Sequence, residues 1–328
     1  MNVLITGATG FIGSHLAEQL HRQGHRLRVL VRPTSNLRWI DHLPIEKVVG
    51  GLSDSASLEK GVEGVDYIYH VAGVVAAKNR EGFFRGNVDA TRNLLEITYK
   101  VNPELKRFVH VSSLAAVGPA FTEDQPVDES VPHHPITTYG QSKAEAERVV
   151  TGFSDKLPVT IVRPPAVYGP RDVGIYTFFQ VVAKGFAPLI GFGRKVVSLV
   201  HVQDLVRGFV LAGENPRGEG QTYFISSEEL YTWEEVGEIA AQLMRKKRVR
   251  YLRVPHGLVY AAAGISGFVG KFQKVPPILD LEKGRDITQP FWICSVDKAR
   301  EELGYRQEVS IAEGVKGTID WYKKEGWL

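Results

Sequence analysis

Residues 2–20, NVLITGATGFIGSHLAEQL, decide the fold. Asn2–Thr6 is a short apolar run of strand length. Gly7, Gly10 and Gly13 follow in a G-x-x-G-x-x-G pattern. From Ser14 the apolar residues recur with helical spacing, and the pattern stops at Gly24. A strand that turns through glycines into a helix lets backbone N–H groups approach a pyrophosphate, and the helix N-terminus adds its positive end. The glycine triplet alone would be a weak signal. Its position between strand and helix is what points to dinucleotide binding.

The rhythm continues outward. Strand-like runs RLRVLV (26–31), KVVGG, VDYIYHVA, RFVHVS and PVTIVRP alternate with helical stretches SASLEKGVE, NVDATRNLLEITYK and the helix around Tyr139. That alternation predicts an α/β fold, a Rossmann-type doubly wound parallel sheet covered on both faces. After about Val167 the pattern changes. A helix is expected over YTFFQVVAKG, a strand and then a helix capped by Asp204 over VVSLVHVQDLVRGFVLAG, and a strand over QTYFISS. Thr232–Glu235 and Ser310–Glu313 read as capping boxes. The expected division is a dinucleotide-binding domain of residues 1–168 and 199–225, and a smaller, mostly helical substrate lobe of 169–198 and 226–328.

Composition sets limits. The 328 residues, 43% hydrophobic and 23% charged, suit an ordinary globular enzyme or binding protein. A net charge of +3 does not suggest a nucleic-acid partner. Cys294 is the single cysteine, so neither an intramolecular disulfide nor a cysteine metal site is possible. The ten histidines are scattered, and His133–His134 lacks a carboxylate at metal-ligand spacing, so no metal is expected. MNVLITGATG has no basic segment ahead of its apolar run, and a cytoplasmic location is the expectation. The apolar stretch GLVYAAAGISGFVG (257–270) is too short to span a bilayer and is expected to be buried or to line a domain, with a membrane-surface contact as the alternative reading. The basic run RKKRVRYLR (245–253) is expected to form a strand with one solvated basic face.

Arg32 stands at the end of the second strand, where an NAD site usually has an acid for the ribose 2′-OH. A guanidinium there, with Thr34, Ser35 and Asn36 beside it, suits a 2′-phosphate, so NADP is expected in preference to NAD. In TYGQSKAEAE (138–147), Tyr139 and Lys143 are four apart and share one helix face. By composition alone a Tyr-x-x-x-Lys has odds of roughly one half, so the pair needs a cofactor loop beside it to mean anything.

With both in hand, the sequence resembles the extended short-chain dehydrogenase/reductase family. That family includes nucleotide-sugar epimerases and dehydratases, and enzymes like 3β-hydroxysteroid dehydrogenase and dihydroflavonol reductase. Eight motifs occur in order: TGATGFIG, HVAG (70–73), NVDATRNLLE, FVHVSSLAAVG, YGQSK, RPPAVYGP (163–170), HVQDL (201–205) and AREELGY. The resemblance implies that Tyr139 is the general acid/base, with its pKa lowered by Lys143 and the cofactor. Lys143 would also hold the nicotinamide ribose. Ser113, or failing it Ser112, would bond the substrate oxygen, and Asn87 would anchor a water or a substrate group. It places Gly7, Thr9, Gly10, Phe11, Ile12 and Gly13 at the pyrophosphate. Arg32, Ser35 and Leu52 would lie along the adenosine half, and Val71, Ala72, Gly73, Pro164 and Val167 along the rest of the cofactor, with Tyr139 and Lys143. A small-molecule substrate, a homodimer and no integral membrane association are implied as well.

Two departures stand out. Gly51 occupies the slot where the family often has an adenine-contacting Asp, and Asp54 is expected to cap a helix instead. Val197 occupies the slot where many nucleotide-sugar epimerases carry a diphosphate-binding Arg, with Arg194 and Lys195 nearby but out of register. This favours net hydride transfer at an apolar alcohol or ketone. The alternatives are an epimerase or dehydratase with tightly bound NAD, in which Arg194, Lys195 or the 245–253 run would have to hold the diphosphate, and a cofactor-binding protein without turnover.

Overall fold

The computed structural model describes residues 1–246, 249–270 and 279–328. Residues 247–248 of the basic run therefore lie outside the described residues.

The chain begins β1 (Asn2–Thr6), α1 (Phe11–Arg22), β2 (Arg26–Val31), β3 (Glu46–Val49), α2 (Ser55–Val62) and β4 (Tyr67–His70). It continues α3 (Arg80–Phe84), one wide π-helical turn (Arg85–Asp89), α4 (Ala90–Val101), β5 (Arg107–Val111), α5 (Leu114–Val117), α6 (Thr138–Thr151) and β6 (Val159–Arg163). Next come β7 (Ala166–Tyr168), α7 (Tyr176–Ala183), β8 (Phe186–Ile190), β9 (Val196–His201), α8 (Val202–Glu214) and β10 (Thr222–Phe224). Last are β11 (Leu230–Thr232), α9 (Trp233–Leu243), β12 (Arg250–Val254), α10 (His256–Gly270), α11 (Leu281–Thr288), β13 (Phe291–Trp292), α12 (Asp297–Leu303) and α13 (Ile311–Lys324).

Among the described residues a seven-stranded, all-parallel sheet runs β10-β6-β5-β4-β1-β2-β3. Its strands are rich in Val and Ile because both faces are covered. Leu16, Leu20, Leu205 and Phe209 of α1 and α8 pack on Val29, Val109 and Tyr223 on one face. Leu58, Leu94, Leu95 and Val150 of α2, α4 and α6 pack on Leu4, Ile68 and Phe108 on the other. The order reverses between β1 and β4, which opens a crevice at the carboxyl ends of these two strands.

A second core gathers Phe179, Tyr231, Val236, Ile319 and Tyr322 from α7, β11, α9 and α13 around β7 and β9. The chain leaves the main sheet after β6, returns to it at β10 and leaves it again. Both capping boxes form, Thr232 with Glu235 and Ser310 with Glu313.

Three expectations need correction. The cap of α8 is His201, not Asp204. Asp204 lies a turn further in, buried, and accepts from the Glu308 and Val309 N–H groups at 3.2 and 3.1 Å, so its carboxylate holds a distant loop. β12 has no single solvated face, because Arg250, Tyr251, Leu252 and Arg253 are all exposed. And α10 is neither buried nor enclosed; only Val259, Ala263 and Gly270 of its residues are buried.

Candidate active site

The glycine loop is fixed by backbone geometry. Gly7 has φ +78°, and a Cβ there would sit 2.6 Å from the Ala72 nitrogen at the end of β4. A Cβ on Gly13 would sit 2.2 Å from the Gly7 carbonyl oxygen. Gly10 heads α1 with no side-chain cap, so no side chain of the loop competes for the first N–H groups of that helix. Thr9 and Phe11 flank it.

At the crevice a pocket of about 190 Å³ is lined by Ile12, Val71, Gly73, Ser113, Tyr139, Lys143, Pro164 and Val167, all expected from sequence. Val75, Val111, Ser112 and Pro165 complete it. The carboxyl ends of β4, β5 and β6 thus converge there with the starts of α1 and α6 and with β7.

α6 starts at Thr138 because the Thr137 side chain accepts from the Gly140 N–H. Glu282 of α11 grips the same end, accepting from the Thr138 N–H at 3.0 Å and its hydroxyl at 2.5 Å. Tyr139 and Lys143 then point to one side, one turn apart. The Tyr139 phenol hydrogen-bonds the Ser113 hydroxyl. Ser113 is also the cap of α5, accepting from the Ala115 N–H at 3.1 Å. Ser112 donates instead to Glu147, which commits it elsewhere and leaves Ser113 as the serine facing the phenol.

The protein's own groups raise the Tyr139 pKa rather than lower it. Burial pushes the phenol up, the Ser113 hydrogen bond only partly offsets it, and the Asp286 charge adds to the rise. Lys143 does not donate to the phenol; its ammonium donates to the Val111 carbonyl at 2.6 Å. Burial brings Lys143 down to about 8, against the pull of Glu147. Near neutrality Lys143 is therefore charged and Tyr139 is a neutral phenol.

Beneath this pair lies a buried polar layer that the motif reading missed. Burial alone would raise Glu147, but hydrogen bonds from His133 and Arg163, the Arg163 charge and the Ser112 hydroxyl bring it to about 2. Arg163 reaches it through Nε at 3.0 Å and Nη2 at 2.7 Å. The signal was in the quoted stretch, since Tyr139, Lys143 and Glu147 repeat every four residues. On the next strand His70 bridges Thr6 at 2.7 Å and Thr91 at 2.9 Å. Burial and then the Lys143 charge lower His70 to about 3, so the imidazole beside Lys143 is neutral.

Asn87 is also spoken for. Its Nδ2 donates to the Val74 carbonyl and Ser142 Oγ, and its Oδ1 accepts from the Val74 N–H at 2.7 Å. The side chain fastens the loop after β4 to α6 with both of its protons, which leaves one Oδ1 lone pair as what it could offer a water or substrate group.

Arg32 lies exposed at the end of β2, with Ser35 Oγ accepting from its backbone N–H at 3.0 Å, and its guanidinium has no partner among the described residues. The Leu52 carbonyl is held by Asn93 at 2.9 Å, and Asp54 caps α2 as expected. Arg194 pairs with Glu123, and Lys195 caps the end of α11 through the Thr288 and Gln289 carbonyls. Val197 is buried in the second core. Lys195 is thus committed to two carbonyls, and Arg194 is held in a surface ion pair. Among the described residues no group of three or more metal-ligating side chains occurs.

Comparison with known proteins agrees with this geometry. The chain is 31% identical to ceramide reductase of Caulobacter vibrioides over 99% of its own length and 96% of the relative's. It is 28% identical to 3-beta-hydroxysteroid dehydrogenase of Mycolicibacterium neoaurum, over 98% and 91%. In fold it matches UDP-glucose 4-epimerase of Thermotoga maritima with a TM-score of 0.79 and 23% identity, each chain covered to 99%. Residues 3–226 match the NAD dependent epimerase/dehydratase family. The chain belongs to that family and is an NAD(P)-linked enzyme of the extended short-chain dehydrogenase/reductase type.

Proposed function

We propose that the enzyme is an NADP-preferring reductase that interconverts an apolar ketone and its alcohol. The observation that carries the reading is the neutral Tyr139 phenol, hydrogen-bonded to Ser113 one helix turn from a charged Lys143. A neutral phenol is a proton donor, and a donor is what a carbonyl oxygen needs as it becomes an alkoxide. Ser113 orients that oxygen. Lys143 holds the cofactor ribose and, while charged, favours the tyrosinate left after the proton has moved. The bound nicotinamide supplies the hydride. Gly7, Thr9, Gly10, Phe11, Ile12 and Gly13 would hold the pyrophosphate, Arg32 and Ser35 the 2′-phosphate, and Leu52, Val71, Ala72, Gly73, Pro164 and Val167 the flanks of the cofactor. The sheet domain (1–168, 199–225) would carry the cofactor and the rest of the chain the substrate. Two copies would pair through the outer faces of α4 and α6.

The relatives named for ceramide and a steroid act on apolar molecules by their names, and the commitment of Lys195 disfavours a nucleotide diphosphate. The test is NADPH oxidation against a panel of apolar ketones. Wild type should consume NADPH with at least one of them, and Tyr139→Phe should lose about a thousandfold in kcat while still binding NADPH. Equal activity in that variant sinks the assignment. Conversion of a UDP-sugar without net NADPH loss would replace it with the epimerase reading.

A further inference from the structure

α11 carries a carboxylate beside the site that the chemistry at Tyr139 and Ser113 does not use. The helix is bolted down along its length. Glu282 accepts from the Thr138 N–H and hydroxyl at the start of α6, and Arg285 Nη1 donates to the Ile136 carbonyl at 3.2 Å. Trp292 Nε1 donates to the Asp286 carbonyl at 2.9 Å, and Lys195 donates to the Thr288 and Gln289 carbonyls at the far end. α11 is thus a rigid element set against the segment that delivers Tyr139, and side chains on such an element hold their geometry.

Asp286 lies one turn beyond Glu282, about 6 Å along the axis and within about 40° of it around the helix. Since Glu282 touches the residue next to Tyr139, Asp286 stands on the face of α11 turned to the start of α6. Its charge bears on the Tyr139 phenol, which places it on the side of the reacting group. The pocket lining holds no Asp or Glu, so Asp286 meets a part of the substrate that extends past the reacting carbonyl. The side chain is 26% exposed, and its partner is Lys283 of the same helix, 54% exposed. A surface pair of that kind contributes little and does not commit the carboxylate. Left alone, the placement is unfavourable. Proton donation by Tyr139 leaves a tyrosinate, and a carboxylate nearby opposes that second negative charge. A substrate donor bonded to Asp286 draws off part of its charge and eases the transfer.

We propose that Asp286 determines specificity by accepting a hydrogen bond from an N–H or O–H group that the substrate carries within a few bonds of its reacting carbon. The substrate class narrows from any apolar ketone to one with a neighbouring donor, such as an α-amido or an α-hydroxy ketone. A ketone with an acidic group at that point is repelled by the same carboxylate. The word ketone rests on the reductase reading; the contact between Asp286 and a donor beside the reacting carbon holds for the alcohol as well.

The test sets an α-acetamido alkyl ketone against its N-methylated amide, and an α-hydroxy ketone against its methyl ether, in NADPH oxidation. The four matching alcohols are also titrated into the enzyme–NADPH complex, where they cannot react, and followed by nicotinamide fluorescence. Wild type should favour the donor-bearing member of each pair by about tenfold, in kcat/KM and in affinity. In Asp286→Ala that ratio should fall to about one, and Asp286→Asn, which keeps an acceptor oxygen without the charge, should restore part of it. Lys283→Ala, which removes the rival partner, should raise the ratio about twofold. NADPH affinity should be the same in all three variants, so that a lost preference is not a lost fold. A wild-type ratio near one, or a ratio that survives in Asp286→Ala, overturns the proposal and leaves the reductase reading standing. Donor-dependent alcohol binding that Asp286→Ala abolishes, with no ketone turned over, overturns the reductase reading alone. Neither turnover nor donor-dependent binding overturns both.

Discussion

TGATGFIG and GLVYAAAGISGFVG are both apolar, glycine-rich stretches that run into or form a helix, yet their glycines do opposite things. In the first, Gly7 and Gly13 sit where a Cβ would meet backbone at 2.6 and 2.2 Å. In the second, Gly257 and Gly264 have nothing within 4 Å of where a Cβ would be. One loop is glycine because the cofactor crevice leaves no room. The other stretch is glycine in open space, on a helix that shows its apolar side to the outside. The first half of the molecule encloses its polar chemistry, and this corner of the second half leaves apolar surface uncovered.

That contrast can be broken most severely at Glu147. The buried carboxylate partners Arg163, and Glu147→Gln should cost about 3–5 kcal/mol by stranding a buried guanidinium. Chemical denaturation measures it, and a loss below about 1 kcal/mol would mean the pair is not closed as described. The same group sets an acid limit. Its folded pKa of about 2 lies below the ordinary glutamate value of 4.5, so its contribution is fully present above pH 4.5 and is lost as pH falls towards about 2. Glu147→Gln should therefore flatten the acid limb of the stability curve.

Gly7→Ala comes next. It combines a left-handed φ with a backbone clash, and should cost about 2–3 kcal/mol along with most cofactor binding. A variant that keeps both would show that the loop relaxes. Gly264→Ala should do the reverse, raising stability by about 0.5–1 kcal/mol because the helix gains propensity and nothing is in the way. Destabilisation there would mean that the outward face of α10 is covered by something the helix needs.

Much of the first region was legible in the sequence because its constraints are local. NVLIT and RLRVLV are strands over the residues expected, and the glycine spacing, Tyr139–Lys143, Ser113 and the Asp54 cap depend on short-range order. What failed depends on distant partners. Asp204 reads as a cap until the 308–309 loop, a hundred residues on, claims its carboxylate. The raised phenol of Tyr139 depends on burial and on Asp286, which no local motif encodes. α10 was misjudged for a plainer reason: an apolar run states what a helix avoids, but not whether protein covers it.

The central claim is an enzyme that takes NADP through Arg32 and uses it in net reduction. Titration of NADPH and NADH into the purified protein, followed by nicotinamide fluorescence, tests it most directly. The account predicts clearly tighter NADPH binding, weakened about thirtyfold in Arg32→Ala with NADH binding unchanged. Equal or tighter NADH binding, or protein that purifies with NAD already held, would contradict it and bring the epimerase reading forward.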